Sequence, residues 1–449
     1  MIAAPDLVEA ALAASRADGA IVLVAEQTEA SLRWAGSSMT TNGMATSRTW
    51  SVVSVVGSAV GVVSSASVDG ADVEDVVRAS EAAARASGDA RDATALVEGD
   101  TTPADWSDPA ARTSVAVFDT LVDDLAAGFR GRDTLYGFAH HTVTTTWLGS
   151  STGLRRRHTE PVGTLELNAK RDGSSAWAGA GTEWFTDVGV AGMLEGLGRR
   201  LDWGARRLDL PAGRYETLLP GSAVADLLIP MMWAMDGRGA HEGRTALSRA
   251  GGTRLGERLT SLPLTLASDP AAPGLATSPF VAVTSSDDAV SVFDDGLATG
   301  RTEWVREGVV NALAYPRATA AELGATPTAT GENLLLTGGS GASIDDMVAS
   351  TERGLLLTCL WYIREVDPAT MLLTGLTRDG VYLVEDGRVT GEVGNYRFNE
   401  SPLDLLRRAT EVGADERVLP REWSDWFTRA RVGPVRIPDF HMSSRSRAS

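Results

Sequence analysis

The chain has 449 residues, of which 43% are hydrophobic and 22% are charged. This composition excludes disordered and fibrous classes and allows two or three domains with apolar cores. Asp and Glu number 59 against 41 Lys and Arg, so the formal net charge is -18, which argues against binding to DNA phosphates as a main activity. The densest basic cluster is Arg155–Arg157, and such a run is typical of a solvated loop or strand end.

The single cysteine and the N-terminus indicate the compartment. Cys359 cannot form an internal disulfide and fits a reducing environment. Its apolar setting, GLLLTCLWYI, predicts a small buried side chain rather than an activated thiol. The N-terminal stretch lacks the basic and apolar regions of a signal peptide, and no uncharged apolar run reaches the roughly 18 residues that span a bilayer. We therefore expect a cytoplasmic protein that does not bind membranes.

The first hundred residues predict a compact α+β unit. A helix is expected from about Asp6 to Ser15, followed by four strand-like runs: AIVLVAEQ, ASLRWAGSSM, TWSVVSVVG and AVGVVSSAS. A second helix is expected from near Asp72 to Gly88. The acidic, proline-containing stretch EGDTTPADWSDPAAR then predicts a linker, so that residues 1–100 form an N-terminal domain.

The remainder predicts a middle segment, residues 101–212, that packs with the N-terminal domain, and a β-rich C-terminal domain, residues 213–449. The middle segment has predicted helices at about 115–128 and 189–206 around strongly alternating strands. From Gly213 one apolar helix, GSAVADLLIPMMWAMDG, precedes short strands and turns, with hairpins turning at 306–308 and 385–387. The fold class is thus α+β, with mixed α/β domains followed by a β-rich domain.

The histidines do not form a recognisable zinc motif. A catalytic zinc needs about three protein ligands, typically including two histidines on one helix face. No two of the five histidines are four residues apart, and the only His-Glu pair, His241-Glu242 in GRGAHEGRTALS, is followed by Thr245 and Ala246 where a second ligand would fall. Two histidines are adjacent in a predicted strand and should point to opposite faces. The five are His140, His141, His158, His241 and His441.

Other motifs match catalytic patterns only in part. GSSTG places Ser151 where a G-x-S-x-G nucleophile would lie, but a strand rather than a helix follows, so we expect a β-turn. Gly237, Gly239 and Gly243 imitate a dinucleotide fingerprint, but a helix rather than a strand leads into them. The glycines of LLLTGGSGAS lack the Lys that a phosphate-binding loop needs. A hard-cation site at Asp294 and Asp295 stays open, although acidic turns are usually only solvated.

Three stretches of the C-terminal half follow one another in a distinctive order. The first is LASDPAAPGLATSPF, with an Asp-Pro turn and a Pro-Gly loop. The second is FDDGLATGRTEWVREGVVNALAYPRATAAELGATPTATGENLLL, with a hairpin, a Thr/Gly-rich loop and a strand led by Asn333. The third is GLLLTCLWYIREVDPATMLLTGLTRDGVYLVEDGRVTG, with an Asp-Pro-x-Thr turn and a Glu-x-Gly hairpin. In this order they resemble the TldD/PmbA family, specifically its TldE (PmbA) branch.

The resemblance extends over most of the chain. The stretch LVEAALAASRADGAIVLVAEQTEASLRWAGSSMTTNG is similar to N-terminal domains of actinobacterial members, whereas residues 101–210 match only in outline. The family implies a peptidase. TldD-type members carry His-Glu-x-x-x-His on a C-terminal-domain helix, with a further ligand near the C-terminus, and bind a metal that activates water. TldE-type members generally lack these ligands and pair with TldD in a complex that degrades or trims peptides.

Laid on this chain, the motif helix falls at residues 229–234. Both histidine positions are apolar, Ile229 and Ala234, and the glutamate position is Pro230, which is expected to kink or break the helix. The C-terminal ligand has no evident counterpart in WFTRARVGPVRIPDFHM. Without ligands there is no Lewis acid, and without the glutamate there is no general base at this place. His241 and Glu242 fall beyond the helix in a turn and remain the alternative site.

We therefore expect a TldE-like subunit without a cofactor of its own, with zinc bound by a TldD-like catalytic partner. The expected partners are that subunit and a peptide substrate, with no nucleic acid, in a hetero- or homo-oligomer. The loops LTGGSG and ATPTATGEN are the expected contact regions, because an open β-rich domain can hold an extended peptide at a sheet edge. The alternatives are an autonomous metallopeptidase with unconventional ligands and a non-enzymatic regulator, in line with the family's association with DNA gyrase modulation.

Overall fold

The computed structural model of the protein describes residues 2–67 and 72–446. Its first half contains one six-stranded antiparallel sheet. The strands are β1 (Gly19–Ala35), β2 (Ser38–Val56), β3 (Ala59–Ser65), β4 (Thr134–Ser150), β5 (Arg155–Arg171) and β6 (Ser174–Thr182). Their order across the sheet is β3-β2-β1-β4-β5-β6. The outer strands β3 and β6 are short, so one end of β2 and one end of β5 extend beyond their outer neighbours.

Four helices cover one face of this sheet. They are α1 (Ala4–Ala14), α2 (Val73–Ala86), α3 (Asp119–Phe129) and α4 (Val190–Trp203). Side chains alternate along a strand, and the apolar even-numbered residues of β1 belong to the cores beneath the helices. They are Val22, Val24, Ala30, Leu32 and Trp34. Odd-numbered Ile21 and Leu23 face the other way, where they join a cluster with Phe280 and Phe293 of the C-terminal half. This face of the sheet therefore contacts the rest of the molecule.

One strand predicted for this sheet is wrong. ASLRWAGSSM was expected to be a single strand, but it contains the turn between β1 and β2. Gly36 and Ser37 have φ angles of 60° and 58°, the left-handed geometry of a tight hairpin turn. The four predicted runs therefore form three strands.

The sheet also continues across the predicted linker. Strand β1 pairs with β4 from Ile21–Ser150 to Trp34–Gly137, so residues on both sides of position 100 share one sheet. The domain boundaries at 100 and 212 stay predictions.

The described part of the second half contains two large sheets around a buried helix and one short two-stranded sheet. Its helices are α5 (Gly221–Trp233), α6 (Gly237–His241), α7 (Arg317–Leu323), α8 (Ile344–Ala349) and α9 (Pro402–Arg408). Its first strands are β7 (Arg207–Leu208), β8 (Gly213–Leu219), β9 (Ser248–Arg249), β10 (Gly252–Thr253), β11 (Thr265–Ser268), β12 (Thr302–Arg306), β13 (Val309–Val310), β14 (Leu334–Thr337) and β15 (Arg353–Leu357). The others are β16 (Leu360–Asp367), β17 (Leu372–Thr377), β18 (Val381–Glu385), β19 (Arg388–Val393), β20 (Tyr396–Glu400), β21 (Glu411–Val412), β22 (Glu416–Val418), β23 (Ala430–Val432) and β24 (Val435–Arg445).

The two larger sheets share one core. One has the order β13-β12-β11-β14-β23-β22, and the other β16-β17-β20-β24-β8-β15-β18-β19-β7 with β21 on β24. Helix α5 contacts β8 of the second sheet and β22 and β23 of the first, and nearly all of its residues are buried. The predicted hairpin turns are confirmed, since Glu307-Gly308 and Asp386-Gly387 have positive φ. The expected α+β class with a β-rich C-terminal domain is confirmed. None of the helices within residues 2–67 and 72–446 has the length and apolar character of a membrane span.

Candidate functional site

Helix α5 carries the three positions where the resemblance places a metal motif. Ile229 is fully buried in the core, whereas Pro230 and Ala234 are half-buried at the end of the helix. Pro230 was expected to kink or break the helix, and the helix is not broken there. The helix continues for almost a turn to Trp233, and the Ala234 N–H donates to the Pro230 carbonyl at 3.1 Å.

A tryptophan satisfies the carbonyl group that Pro230 leaves without a helical donor. Proline has no N–H, so the carbonyl four residues earlier, that of Asp226, loses its usual partner. The indole Nε1–H of Trp423 donates to this carbonyl oxygen at 2.8 Å. Because the backbone polar group remains paired, the helix tolerates proline without a buried unsatisfied acceptor.

The same segment fixes the side chain of Asp226. This carboxylate is buried in α5 and accepts the backbone N–H of Glu422 at 2.9 Å. Burial raises the pKa of Asp226 well above its ordinary range, against the lowering effect of the backbone donors. Glu422 in turn accepts the backbone N–H groups of Tyr362 and Ile363 at 2.7 and 3.0 Å. Residues 421–423 therefore join α5 to the edge strand β16.

These contacts enclose a cleft at the exposed end of α5, with a volume of about 490 Å³. The rings of Trp233 and Trp423 meet edge to face at 4.9 Å on one side, and Trp233 is 50% exposed. The lining is Pro230, Trp233, Ala234, Asp236, Thr245, Ile363, Arg364, Glu365, Pro368, Leu373 and Trp423. The cleft is therefore largely apolar, with a few polar groups at its border.

The residues of this cleft do not fit zinc. Zinc is held by His nitrogen, Cys sulfur or carboxylate oxygen, and Ile229, Pro230 and Ala234 provide no such atom. Both carboxylate oxygens of Asp236, the acid nearest these positions in sequence, are used as the N-terminal cap of α6, where they accept from Arg238 and Gly239 at 2.9 Å. Within residues 2–67 and 72–446 no group of three or more His, Cys, Asp or Glu side chains is arranged to hold a metal ion.

His241 and Glu242 lie outside the cleft lining. The prediction that His241 lies in a turn is wrong, because it is the last residue of α6. Its ring stacks edge to face on Tyr315 with centroids 6.0 Å apart. The Glu242 carboxylate accepts from Arg91 at 2.9 Å and from Arg244 at 3.0 Å, and these bonds lower its pKa. Glu242 thus has the environment of an ion-paired carboxylate rather than of a general base.

Packing explains two glycines of the same stretch. A Cβ atom at Gly237 would lie 2.1 Å from the ring of Tyr315, and one at Gly239 would lie 2.3 Å from the carboxylate of Asp236. Gly243 instead has a φ of 79°, which favours glycine. These requirements account for the glycine pattern without a dinucleotide.

The remaining histidines lie at separate places. His141 is buried, with Nδ1 2.6 Å from the Thr113 hydroxyl and Nε2 2.6 Å from the Glu183 carbonyl, whereas its neighbour His140 is half-exposed beside Glu29. The expected opposite orientation of the pair is therefore confirmed. Burial lowers the pKa of His158 and of His441, so neither is favoured as a cation.

The contacts of Ser151 and Cys359 explain these two residues without a catalytic role. Ser151 lies in the turn between β4 and β5, as expected, and its hydroxyl accepts the backbone N–H of Ala20 at 3.0 Å. Cys359 is buried, as expected, and burial raises the pKa of its thiol to about 12. The Arg421 guanidinium donates to its sulfur at 2.7 Å and also pairs with Asp379. Ser151 is exposed, but its hydroxyl accepts a backbone N–H within the turn, and Cys359 is buried, so neither residue has the activated setting of a nucleophile.

The acidic pair and the arginine run differ from their predicted surroundings. Asp294 and Asp295 were expected to be solvated, but both are buried. Asp294 pairs with Arg317 at 2.7 Å, and Asp295 accepts the Val283 N–H at 2.7 Å while burial raises its pKa well above the usual range. Two residues of the arginine run, Arg155 and Arg157, are also paired, with Glu9 at 2.7 Å and Asp105 at 2.6 Å.

The two predicted contact loops have different surroundings. The loop ATPTATGEN lines a second cavity of about 280 Å³, together with Tyr315 and Arg301. The glycines of LTGGSG pack closely, since a Cβ at Gly338 or Gly339 would meet a backbone oxygen at 2.2 Å. The loop LTGGSG is therefore packed against its neighbours at these two glycines rather than open.

The sequence analysis missed the polar contacts that lie beside the cleft and join α5 to residues 422 and 423. Asp226, Glu422 and Trp423 are not members of any sequence motif. One signal was available, because Asp226 is the only charged residue in an otherwise apolar helix, and a buried carboxylate requires partners. The identity of those partners depends on contacts across 197 residues and has no local signature.

The chain is similar to known proteins in both sequence and fold. Residues 212–444, more than half of the chain, match the model of the PmbA/TldA metallopeptidase C-terminal domain. No curated protein matches the sequence. Among solved structures, TldE from Thermococcus kodakarensis is similar with a TM-score of 0.76 at 14% identity, covering 97% of this chain and 98% of that one.

Two further solved structures have the same fold, and both are described as modulators of DNA gyrase. The one from Bacteroides thetaiotaomicron has a TM-score of 0.76 at 17% identity and covers 98% of both chains. The one from Thermotoga maritima has a TM-score of 0.75 at 16% identity, covering 94% of this chain and 95% of that one. With the domain match and a whole-chain fold likeness, the chain belongs to the metallopeptidase-related TldD/PmbA family.

Proposed function

We propose that the chain is a TldE-like, non-catalytic subunit that assists a zinc-binding TldD-like chain in degrading or trimming peptides in the cytoplasm. One observation carries the proposal: the motif positions on α5 hold Ile229, Pro230 and Ala234, which have no metal-binding atom. The helix is nonetheless intact, and an aromatic cleft adjoins it.

The cleft supports a role in holding peptide. Aromatic surfaces such as those of Trp233 and Trp423 bind apolar or proline-containing segments, and the edge strand β16 beside them offers main-chain hydrogen bonds to an extended chain. A subunit that holds peptide without a metal of its own helps the partner by positioning the substrate.

Metal analysis and a mixing experiment test this proposal. The purified chain should contain no stoichiometric zinc and cleave no peptide alone, and peptide cleavage by a TldD-like chain should increase when the two are mixed. Replacing Trp423 with Ala should reduce that increase, whereas His241→Ala should not. Stoichiometric zinc in the isolated chain, or peptide cleavage that is lost in His241→Ala, would favour an autonomous metallopeptidase instead.

A second candidate function is a regulator that acts through protein contacts. Two proteins of similar structure are described as modulators of DNA gyrase, which favours it. The net charge of -18 argues against direct binding to DNA. A gel shift in moderate salt should therefore show no complex with DNA, and a complex would contradict a regulator that acts through protein contacts alone.

A further inference from the structure

Three short segments form a positively charged surface in this acidic protein, the basic surface. They are residues 130–133 after α3, residues 170–173 between β5 and β6, and residues 199–207 at the end of α4. The segments contain eight cations and three carboxylates, a formal net charge of +5, whereas the whole chain carries -18 and the remaining residues therefore carry -23. The cations are Arg130, Arg132, Lys170, Arg171, Arg199, Arg200, Arg206 and Arg207, and the carboxylates are Asp133, Asp172 and Asp202.

Hydrogen bonds hold the three segments of the basic surface together. The guanidinium of Arg171 donates to the Asp133 carboxylate at 2.9 Å and also to the Asp202 carboxylate. Arg132 donates to the same oxygen of Asp202. Arg207 donates to a backbone carbonyl oxygen in the turn between β5 and β6 at 3.4 Å. Because each segment contacts the other two, their charges belong to one surface of the molecule.

Four cations of the basic surface lack a carboxylate partner. All four are exposed and form no ion pair within residues 2–67 and 72–446; they are Arg130, Lys170, Arg206 and Arg207. The Lys170 ammonium lies over the ring of Tyr136 at 5.1 Å, and Arg207 donates only to the backbone carbonyl. Acids outnumber bases 59 to 41 in the chain, so a shortage of carboxylates does not explain these unpaired charges. Neighbouring cations without partners produce a positive local potential, which attracts an anion.

Carboxylates from the second half border the basic surface without neutralising it. Asp345 of α8 pairs with Arg199 at 3.6 Å, and Glu392 of β19 accepts the Ser174 hydroxyl at 2.6 Å. Even with these two included, eight cations face five carboxylates. Of the five, Asp172 is exposed, and its carboxylate has no hydrogen-bond partner in the described part of the chain. Asp172 is therefore the acid that most directly opposes the binding of an anion.

We propose that the basic surface binds an acidic segment of another protein. A guanidinium group matches a carboxylate in shape and donates two parallel hydrogen bonds to it, so Arg130, Arg206 and Arg207 suit Asp and Glu side chains. Complementary charge of this kind accelerates association and selects partners of the opposite sign. The surface shares no residue with the lining of the cleft at α5, so this interaction is independent of peptide binding there.

The charge of the rest of the molecule favours a short acidic segment over nucleic acid. A nucleic acid carries phosphates along its whole length, and those beyond the basic surface would approach residues whose formal charge is -23. An acidic protein segment has only a few carboxylates and can end where the cations end. The ring of Tyr136, 37% exposed beside Lys170, adds an apolar contact for such a segment.

Fluorescence anisotropy with labelled hexaglutamate and the full-length protein tests the proposal. We expect binding that weakens as salt is added, and a dissociation constant that rises at least about tenfold in the double variant Arg206→Glu, Arg207→Glu. The matched control is Arg249→Glu, Arg258→Glu, which reverses two exposed arginines of the second half that also form no ion pair within the described residues. This control changes the net charge equally and should bind like the unaltered chain. Absence of binding, or equal weakening in both double variants, contradicts the proposal.

Two single variants separate direct contact from a loss of folding. Asp172 has a φ of 48°, which asparagine tolerates, so Asp172→Asn should keep the turn and tighten hexaglutamate binding by removing a repelling charge. Such a gain cannot result from misfolding, whereas Lys170→Glu should weaken binding. Unchanged binding in Asp172→Asn contradicts the proposal, and so does an oligothymidylate of equal charge that binds more tightly than hexaglutamate, since the surface would then suit phosphates.

This test is independent of the proposed function. It measures neither zinc content nor peptide cleavage, so its failure would leave the proposed function unaffected.

Discussion

Pro230 and Trp423 form a compensating pair at the end of the candidate cleft. The Nε1–H of Trp423 supplies the donor that Pro230 cannot give to the Asp226 carbonyl. Replacement of Trp423 by Phe keeps an aromatic ring against Trp233 but leaves this carbonyl without its donor. We expect the free energy of unfolding to fall by about 1–3 kcal/mol, the usual cost of an unsatisfied buried acceptor.

A double-mutant cycle separates this hydrogen bond from ring packing. In the Pro230→Ala background the alanine N–H is again available to the Asp226 carbonyl, so Trp423→Phe should cost less than in the unaltered chain. Urea unfolding of the four proteins measures both costs. Equal costs in the two backgrounds would show that the indole contributes only through its packing.

Asp226 makes the stability of the protein depend on pH. Its pKa is raised well above the ordinary value of 3.8, so the folded chain binds a proton that the unfolded chain releases. Stability from this residue therefore decreases as the pH rises from about 3.8 through the folded-state pKa. Asp226→Asn keeps an oxygen to accept the Glu422 N–H but does not ionise. Its advantage in unfolding free energy over the unaltered chain should grow with pH, as urea titrations at several pH values can measure; a constant difference would contradict this.

At the scale of elements, glycines decide how close a helix approaches a strand. A Cβ at Gly61 of β3 would lie 2.2 Å from the backbone nitrogen of Ala84 and 2.4 Å from the carbonyl oxygen of Ser80, both in α2. Gly61→Ala should therefore force α2 away from the sheet and cost about 1–3 kcal/mol or more. Gly196 in the middle of α4 has open space around its Cβ position, so Gly196→Ala should stabilise the chain by about 0.5–1 kcal/mol.

Urea midpoints of the two variants, measured side by side, check these opposite signs. Because the chemical change is the same, only the surroundings of the glycine distinguish them. A loss of stability in Gly196→Ala similar to that in Gly61→Ala would contradict the structural explanation.

Local sequence patterns predicted most elements of the first half but not the limits of every strand. Helices α2 and α4 begin and end within a few residues of the predicted positions, because their apolar residues recur at helical spacing. The β1–β2 turn at Gly36-Ser37 was missed because a continuous run of strand-forming and small residues surrounds it. Pro230 was misjudged for a different reason, since the compensating donor comes from a distant part of the chain.

At the scale of the whole molecule, the sequence indicated the β-rich second half but not how strands are shared. The order β1-β4 joins residues on both sides of a proline-containing linker, and nothing local in either strand identifies its partner. The positions of the degenerate motif came from family resemblance. Their apolar side chains indicated a missing metal site, whereas the cleft walls from β16 and residue 423 became visible only in the folded chain.

The pairing of β1 with β4 has a consequence for synthesis on the ribosome. Strand β1 can form its hairpin with β2 soon after both emerge, but its other edge pairs Ile21 with Ser150, far later in the chain. At a translation rate of about 5–20 residues per second, that edge waits on the order of ten seconds for its partner. During this interval the nascent chain presents a long unpaired strand, so folding of the first half depends on protection of this edge until β4 has been made.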